Sequence, residues 1–322
     1  MAIDFNKVIS KIGGTISAPK VVSSIAPVSQ FLVQLNSSLG SNLSPQTTQL
    51  LSNYKGLPLT NLRLILSVSE TAGSTAPSGF LPIENAIQKF QIIANDGTIL
   101  TDFDGAYSDV SYWARLLTKG GIYTPSPTPS VGASSTGTYT WELSLPFGIK
   151  ASDFPLKLNV VFNTLSSLTT GSTPLASANA TLSLYGTYSP ANVVRTILKS
   201  SYIPVSATGN IVLNTQYDAG KTYLLQAYSY GADSNINNIT FSTDGSLQYQ
   251  NVPLSEFINK ENILYANSVS QGVGHINGFI NLFTPQFTET PATQLAINFA
   301  SLPYVVYTSN SNAIRSYWQE LA

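Results

Sequence analysis

Apolar residues recur at every second position through much of the chain. NLRLILSVSE (61–70), IQKFQIIAN (87–95), TILTDF (98–103), TYTWELSLPF (138–147), FPLKLNVVF (154–162) and ANATLSLYGTY (178–188) each put apolar side chains on one face and polar ones on the other. Such alternation marks a strand with one buried face. One segment breaks the period: in SDVSYWARLL (108–117), Val110, Trp113, Ala114 and Leu117 follow helical spacing, with Ser108 or Asp109 available as a cap. Gly, Pro and Asn punctuate the runs, so the chain reads as all-β with short helices.

From about residue 190 the order recurs. TYLLQAYSY (222–230) stands where NLRLILSVSE stood, and INNITFST (236–243) with SLQYQ (246–250) repeats the strand pair of 87–103. PLSEFINKENI (253–263) takes the helix slot, HINGFINLF (275–283) that of TYTWELSLPF, and QLAINFA (294–300) that of LKLNVVF; PYVVYTS (303–309) closes the series. Six elements in the same order point to a duplication. Each strand pair is joined by Asp-Gly, at Asp96-Gly97 and Asp244-Gly245, a dipeptide that marks a hairpin because both residues tolerate positive φ. Register predicts a two-residue loop in the first copy, with Ala94 opposite Ile99, Ile92 opposite Thr101 and Phe90 opposite Phe103. In the second copy the same register fails, and a three-residue loop with Gly245 as a bulge sets Phe241 opposite Leu247 and Ile239 opposite Tyr249.

The ends differ from the middle. In residues 1–55, Val8, Ile9, Ile12 and Ile16 fall near helical spacing, weakened by Gly13 and Gly14. Lys7, Lys11, Lys20 and Lys55 against Asp4 make this arm about +3 in a chain of net charge −1. It is expected to be a terminus that orders on assembly, or a weakly basic arm against an anionic membrane or neighbouring subunits. NAIRSYWQELA (312–322) reads as a closing helix or docking tail, with Trp318 as an anchor against a partner.

Composition narrows the function. Of 322 residues only 10 % are charged, while Tyr (17) and Phe (14) are abundant, a bias opposite to that of disordered chains. The near-zero net charge supplies no field for reading nucleic acid. The absence of Cys excludes disulfides and thiolate metal sites. No apolar run is long enough to span a bilayer as a helix, and the N-terminal residues lack the apolar stretch of a secretion signal.

Candidate chemistry is sparse. His275 is the single histidine, without an evident nucleophile partner. Asp102 and Asp104 share a strand face and could hold a cation or act as an acid/base pair, although a solvated loop end explains them better. Glu84, Asp96, Asp109, Asp153 and Asp244 read as turn and cap residues. Phosphate-loop, dinucleotide, zinc-protease and nucleophile-elbow motifs do not occur, so neither catalysis nor a cofactor is expected. Aromatic content allows a carbohydrate-binding surface, but Trp113 and Trp141 fall at core-like positions.

The strand–Asp-Gly–strand–helix unit (IQKFQIIANDGTILTDF, then YSDVSYWARLL), the LPF at 145–147 and FPLKLNVVF, followed by a second, degenerate round, resemble the double jelly-roll major capsid proteins of tailless icosahedral viruses that enclose a membrane. The resemblance spans roughly 57–308. The small size and short loops look more like the phage members, a flavobacterial single-stranded-DNA phage above all. It implies an N-terminal arm (1–55), a first jelly roll (56–190), a second (191–308) and a C-terminal tail or helix (309–322). It further implies a homotrimer of six lobes that tiles an icosahedral shell with penton or minor capsid proteins, assembled in the host cytoplasm. The arm with Lys7, Lys11 and Lys20 would face internal membrane lipid, and the loop at 125–137 would be a tower or inter-subunit strap. In two respects the chain departs from the pattern: the second copy has FINLFTP in place of LPF, and a tight one-sheet hairpin is expected to be an addition to the basic eight strands. The alternative is a two-domain β-sandwich adhesin or carbohydrate-binding protein.

Overall fold

The computed structural model describes residues 27–322 except 53, 55, 119–123, 147, 191–192, 215–221, 244–245, 257, 259–277, 284–293 and 304–311. Eight strands build a first sandwich: β1 (Val28–Leu39), β2 (Ser44–Leu50), β3 (Leu59–Thr71), β4 (Ile87–Ile93), β5 (Ile99–Asp104), β6 (Thr136–Leu145), β7 (Leu156–Phe162) and β8 (Ser177–Tyr188). One sheet has the order β1-β8-β3-β6, and facing it run β5-β4-β7-β2. The alternation explains the pairing of layers. Leu62, Leu64, Leu66 and Val68 of β3, and Leu156, Leu158, Val160 and Phe162 of β7, are buried between the sheets.

Eight further strands build the second sandwich: β9 (Thr196–Pro204), β10 (Gly209–Asn214), β11 (Thr222–Ser229), β12 (Ile236–Thr243), β13 (Ser246–Pro253), β14 (Phe279–Phe283), β15 (Gln294–Phe299) and β16 (Ala313–Leu321). Its sheets run β9-β16-β11-β14 and β10-β15-β12-β13. Adding eight to each strand number of the first sandwich reproduces both orders. The duplication read from the sequence is therefore a duplication of topology, and each half is a jelly roll.

The halves share a sheet. β5 at the edge of the first sandwich pairs in parallel with β9 of the second through Thr101 and Leu198, giving one eight-stranded sheet, β14-β11-β16-β9-β5-β4-β7-β2. One helix, α1 (Asp109–Thr118), follows β5 and lies over this seam. Gly105 permits the tight departure from β5, since a Cβ there would stand 1.8 Å from the Ile87 carbonyl oxygen.

Several expectations change. Residues 28–50, placed in the arm, form β1 and β2, whose Ser, Gln and Asn content hid them; β1 pairs along its length with β8 and β2 with β7. Residues 313–321, read as a helix or tail, are β16, a central strand between β9 and β11. This strand completes the second jelly roll; PYVVYTS, expected to close the series, lies, apart from Pro303, outside the described residues. The Asp-Gly hairpin is β4–β5, a member of the basic eight, because in this topology the fourth and fifth strands are sheet neighbours. The slot of the second helix begins helically at Leu254–Glu256.

The two hairpins differ in loop length, in the opposite sense to the expected one. In the first, the Ala94 N–H donates to the Thr98 carbonyl (2.8 Å) and the Gly97 N–H to the Ala94 carbonyl (3.0 Å). The loop is thus Asn95-Asp96-Gly97, with Gly97 at φ +86° as the bulge residue. Phe90 still faces Phe103 and Ile92 faces Thr101, while the bulge sets Ile93 opposite Ile99. In the second, Thr243 pairs with Ser246 around Asp244 and Gly245, which lie outside the described residues, and Phe241 pairs with Tyr249. Register shifts inside the strands, at Ile239/Phe241 and Phe241/Ser242, absorb the mismatch that sequence reasoning assigned to the loop.

The outer face of β3, β6 and β8 is a hydroxyl ladder. Thr138 bonds Ser69 (3.2 Å), Thr140 bonds Ser67 (3.3 Å), and Thr71 pairs with Thr136 (2.9 Å). Arg63 and Glu142 form a two-pronged pair in this face, Nη2 to Oε2 at 2.8 Å. Both are exposed, so Arg63→Ala is expected to lower stability by only about 0.2–1 kcal/mol in urea titrations, an effect that shrinks further in high salt.

Candidate functional site at the junction of the two jelly rolls

The side chains that fix one sandwich against the other converge on α1 and the shared sheet. An aromatic run crosses the seam. Phe90 stacks on Phe103 (5.7 Å), Phe103 on Trp113 (6.4 Å), and Trp113 meets Tyr317 edge-on (5.8 Å). Tyr112 stacks on Phe279 of β14 at 5.3 Å. The helical spacing of Tyr112, Trp113 and Leu116 turns these side chains inward, and burying each large apolar side chain contributes about 1.5–3 kcal/mol.

Beside this run lies a buried ion pair. Asp109, at the start of α1, is 0 % exposed. It accepts from Arg315 of β16 (Nη2 2.5 Å, Nε 3.3 Å), from the Ser200 hydroxyl of β9 (3.1 Å) and from the Asp104 N–H (2.9 Å). The Arg315 guanidinium also donates to Ser200 (2.7 Å) and lies 4.2 Å from the Tyr107 ring centre. Burial pushes the Asp109 carboxyl up, while Arg315, the Asp104 N–H and Ser200 pull it down. The pair joins residues about two hundred positions apart and bridges the first jelly roll to the second.

A second knot sits at one end of the molecule, the base, where the linker between the jelly rolls emerges. Arg195 donates to both oxygens of Asp96 (2.8 and 2.9 Å) and lies 3.6 Å from Asp153, an ion-pair distance. The Arg195 guanidinium and the Thr98 N–H hold Asp96 well below the usual carboxylate range. The Arg195 carbonyl accepts from the Ala322 N–H (2.8 Å), and Lys150 Nζ donates to the Ala322 oxygen (3.2 Å). The first Asp-Gly turn thus grips the linker. Gly97→Ala, which forces an L-residue to φ +86°, is expected to cost about 1 kcal/mol, read as a lower urea midpoint with unchanged slope.

The other sequence candidates are placed as follows. Asp102 and Asp104 do share a face, but Asp102 pairs with Lys89 (3.2 Å) and Asp104 accepts from the Ala106 N–H (3.0 Å). Lys7, Lys11, Lys20, Asp244, Gly245 and His275 lie outside the described residues. Trp318 is 5 % exposed within β16, so it packs inside its own chain rather than standing free as an anchor. All three tryptophans, Trp113, Trp141 and Trp318, are buried. Among the described residues no group of three His, Cys, Asp or Glu side chains could hold a metal ion. The 124–135 stretch folds back on its own sandwich instead of projecting as a tower: its Thr124, Pro127 and Ser135 carbonyls accept from Trp141 Nε1 (2.8 Å), the Ile83 N–H (3.0 Å) and the Ala72 N–H (3.0 Å). Sequence reasoning missed Arg195, Ser200 and Arg315 as junction residues, and took Asp109 for a cap. The one signal was an arginine embedded in the apolar-aromatic run AIRSYW (313–318).

Two eight-stranded jelly rolls, side by side and joined through one sheet, define the double jelly-roll fold. Solved structures share it. The major capsid protein of Sulfolobus turreted icosahedral virus superposes with a TM-score of 0.61 at 12 % identity, over 92 % of this chain and 96 % of that one. VP54 of PBCV-1, fitted into a reconstruction of the virophage Sputnik, gives 0.54 at 12 % identity over 92 % and 94 %. The major capsid protein P2 of bacteriophage PM2 gives 0.51 at 12 % identity over 91 % and 97 %. No protein-family model matches the sequence, and no curated protein does.

Proposed function

We propose that the chain is the structural major capsid protein of an icosahedral virus, non-enzymatic, with three copies forming a pseudo-hexameric capsomer. One observation carries this: a single chain presents two sandwiches of identical strand order, locked by the shared sheet and the Asp109–Arg315 pair. Three such chains offer six equivalent lobes, which fill a hexagonal lattice position. The structural neighbours with capsid roles support the reading, as does the low charge, since charged side chains lose hydration at interface cores. Burial of every tryptophan leaves no Trp platform for sugar stacking and weighs against the adhesin.

In the assembled shell the base would face inward. The described chain starts there, at Val28 beside Tyr188, and Ala322 ends there on Arg195. The arm with Lys7, Lys11 and Lys20 would then lie against anionic headgroups of an internal membrane. Penton and minor capsid proteins would complete the shell, assembled in the host cytoplasm. Native mass spectrometry and negative-stain microscopy test the proposal: a species of three 34.4 kDa chains with six lobes, or closed shells, is expected. A monomer that binds glycans at every concentration would overturn it.

A further inference from the structure

The duplication relates each half of the intrachain junction to a place that the chain itself leaves unfilled. Within the chain, β5 meets β9 at Thr101 and Leu198, and α1 covers the face of β16 that carries Tyr317. Tyr317 pairs with Ser200 of β9 and packs into the core of the first sandwich, while the Ser200 hydroxyl donates to Asp109 at the start of α1. In the first sandwich β1 and β8 stand where β9 and β16 stand in the second. There Tyr185 of β8 pairs with Phe31 of β1, ring centres 5.4 Å apart. Tyr317 is fully buried, but Phe31 remains 50 % exposed. The Arg63 guanidinium lies 5.5 Å from the Tyr185 ring centre, and the hydroxyls of Ser67, Thr140 and their neighbours surround the cluster without charge. An aromatic pair and an arginine in an uncharged surround have the composition of an interface centre.

The complementary half lies on the second sandwich. β13, the counterpart of β5, is an edge strand in the order β10-β15-β12-β13, and β1 is an edge strand in the order β1-β8-β3-β6. As α1 follows β5, the chain turns helical after β13, at Leu254–Glu256. The charges correspond as well. Asp109, at the start of α1, meets Arg315 on its receiving face; the turn after β13 carries exposed Glu256, and the face around Tyr185 carries Arg63. Raising β5 and β9 by eight gives β13 and a seventeenth strand, and β1 of a second copy supplies it.

We infer that the face around Phe31, Tyr185 and Arg63 receives the second sandwich of another copy of this chain, which enters by the open edge of β13 and the turn Leu254–Glu256. The contact continues between chains the junction already built within one, and it joins unlike faces head to tail. A single strand pair suffices at the intrachain seam, so the bulge between Phe31 and Val33 in β1 is no obstacle. The inference rests on the three-copy reading: three junctions within chains and three between them close a ring of six lobes.

The chain has no cysteine, so two can be introduced without background. Phe31→Cys and Ser255→Cys mark the two faces, as Ser200 and the start of α1 mark them within the chain. The full chain carrying both is treated with a short bis-maleimide at a concentration at which native mass spectrometry of the wild type shows trimers. Linked species of two and three chains are expected from the double variant, and single chains only from either single variant. Linking by a single variant means that like faces meet, and overturns the inference. A double variant that stays unlinked although its native mass is that of a trimer also overturns it, and leaves the three-copy reading standing. A wild type that is monomeric at every concentration removes that reading and this inference with it. Phe31→Asp is expected to weaken association at least about tenfold with unchanged circular dichroism. Leu43→Asp, 49 % exposed beside Arg315 at the intrachain junction, is expected to leave association unchanged. Equal association of wild type and both variants overturns the inference.

Discussion

Asp109→Asn is expected to lower the stability of the chain by about 3–5 kcal/mol, because it strands a buried guanidinium. Arg315 is 7 % exposed and stays charged at any pH at which proteins fold. Asparagine keeps one accepting oxygen but sets an NH2 against donors and removes the charge, so the guanidinium is left uncompensated with Ser200 as its other neutral acceptor. The measurement is urea unfolding followed by tryptophan fluorescence, which reads both sides of the seam through Trp113 and Trp318. The wild type is expected to unfold in one transition and the variant in two, the second jelly roll first, since its sheet is pinned by this pair and by the aromatic run. Replacing both partners by apolar residues, Asp109→Leu with Arg315→Met, is expected to recover most of the loss, as apolar replacement of buried pairs often does. A single transition of unchanged midpoint in Asp109→Asn would show that the pair does not hold the halves together.

Glu70→Gln is expected to stabilise the chain at pH 8 and to leave it unchanged at pH 4. Glu70 sits in the inward register of β3 after Leu62, Leu64, Leu66 and Val68, is 0 % exposed, and among the described residues neither carboxylate oxygen meets a hydrogen-bond donor. Directly opposite stand Gly137 and Ala178, which leave it room but give it nothing to bond. Burial pushes its carboxyl up to about 7. The folded state therefore holds a proton that the unfolded state, titrating near 4.5, has released. Stability is full below about pH 4.5, falls as pH rises through 7, and is lower by about 3 kcal/mol above that. Glutamine keeps the shape without the charge, so its profile lacks this decline. Glu84 is also raised by burial, opposed by Ser111, and its contribution is common to both proteins and cancels in the comparison. Parallel profiles for wild type and Glu70→Gln between pH 5 and 8 would overturn the assignment.

The parts of this fold that were legible in the sequence share one property: one face buried and one wet. Leu62 to Val68, Phe90 with Phe103, and Leu156 to Phe162 announce their strands because burial alternates with exposure. The order of these strands, repeated, carried the duplication and with it the architecture. β16 was illegible because both of its faces are covered, yet its residues are mixed. Arg315, Ser316, Gln319 and Glu320 are buried beside Ile314, Tyr317 and Trp318. A strand buried on both sides ordinarily reads as a continuous apolar run. Here three of the four polar residues have partners far away in the chain, Asp109 for Arg315, Lys199 for Glu320 and the Ser201 carbonyl for Ser316. The junction was illegible for the same reason: Asp109 looks like a helix cap until β9 and β16 arrive beside it. The hairpin loops were exchanged because register inside a strand can shift by a bulge, which alternation alone does not locate.

The position of β16 also fixes a timetable. It follows every other described strand in the chain, and its place is between β9 and β11. Until it arrives, those two strands present open edges to each other across an empty slot, and Asp109 waits without its arginine. The first jelly roll can mature before β16 is made, as N-terminal units generally do, but the second must wait for it. A chain cut before residue 313 would therefore leave β9 and β11 with facing open edges and Asp109 without its partner, whatever the state of the first jelly roll.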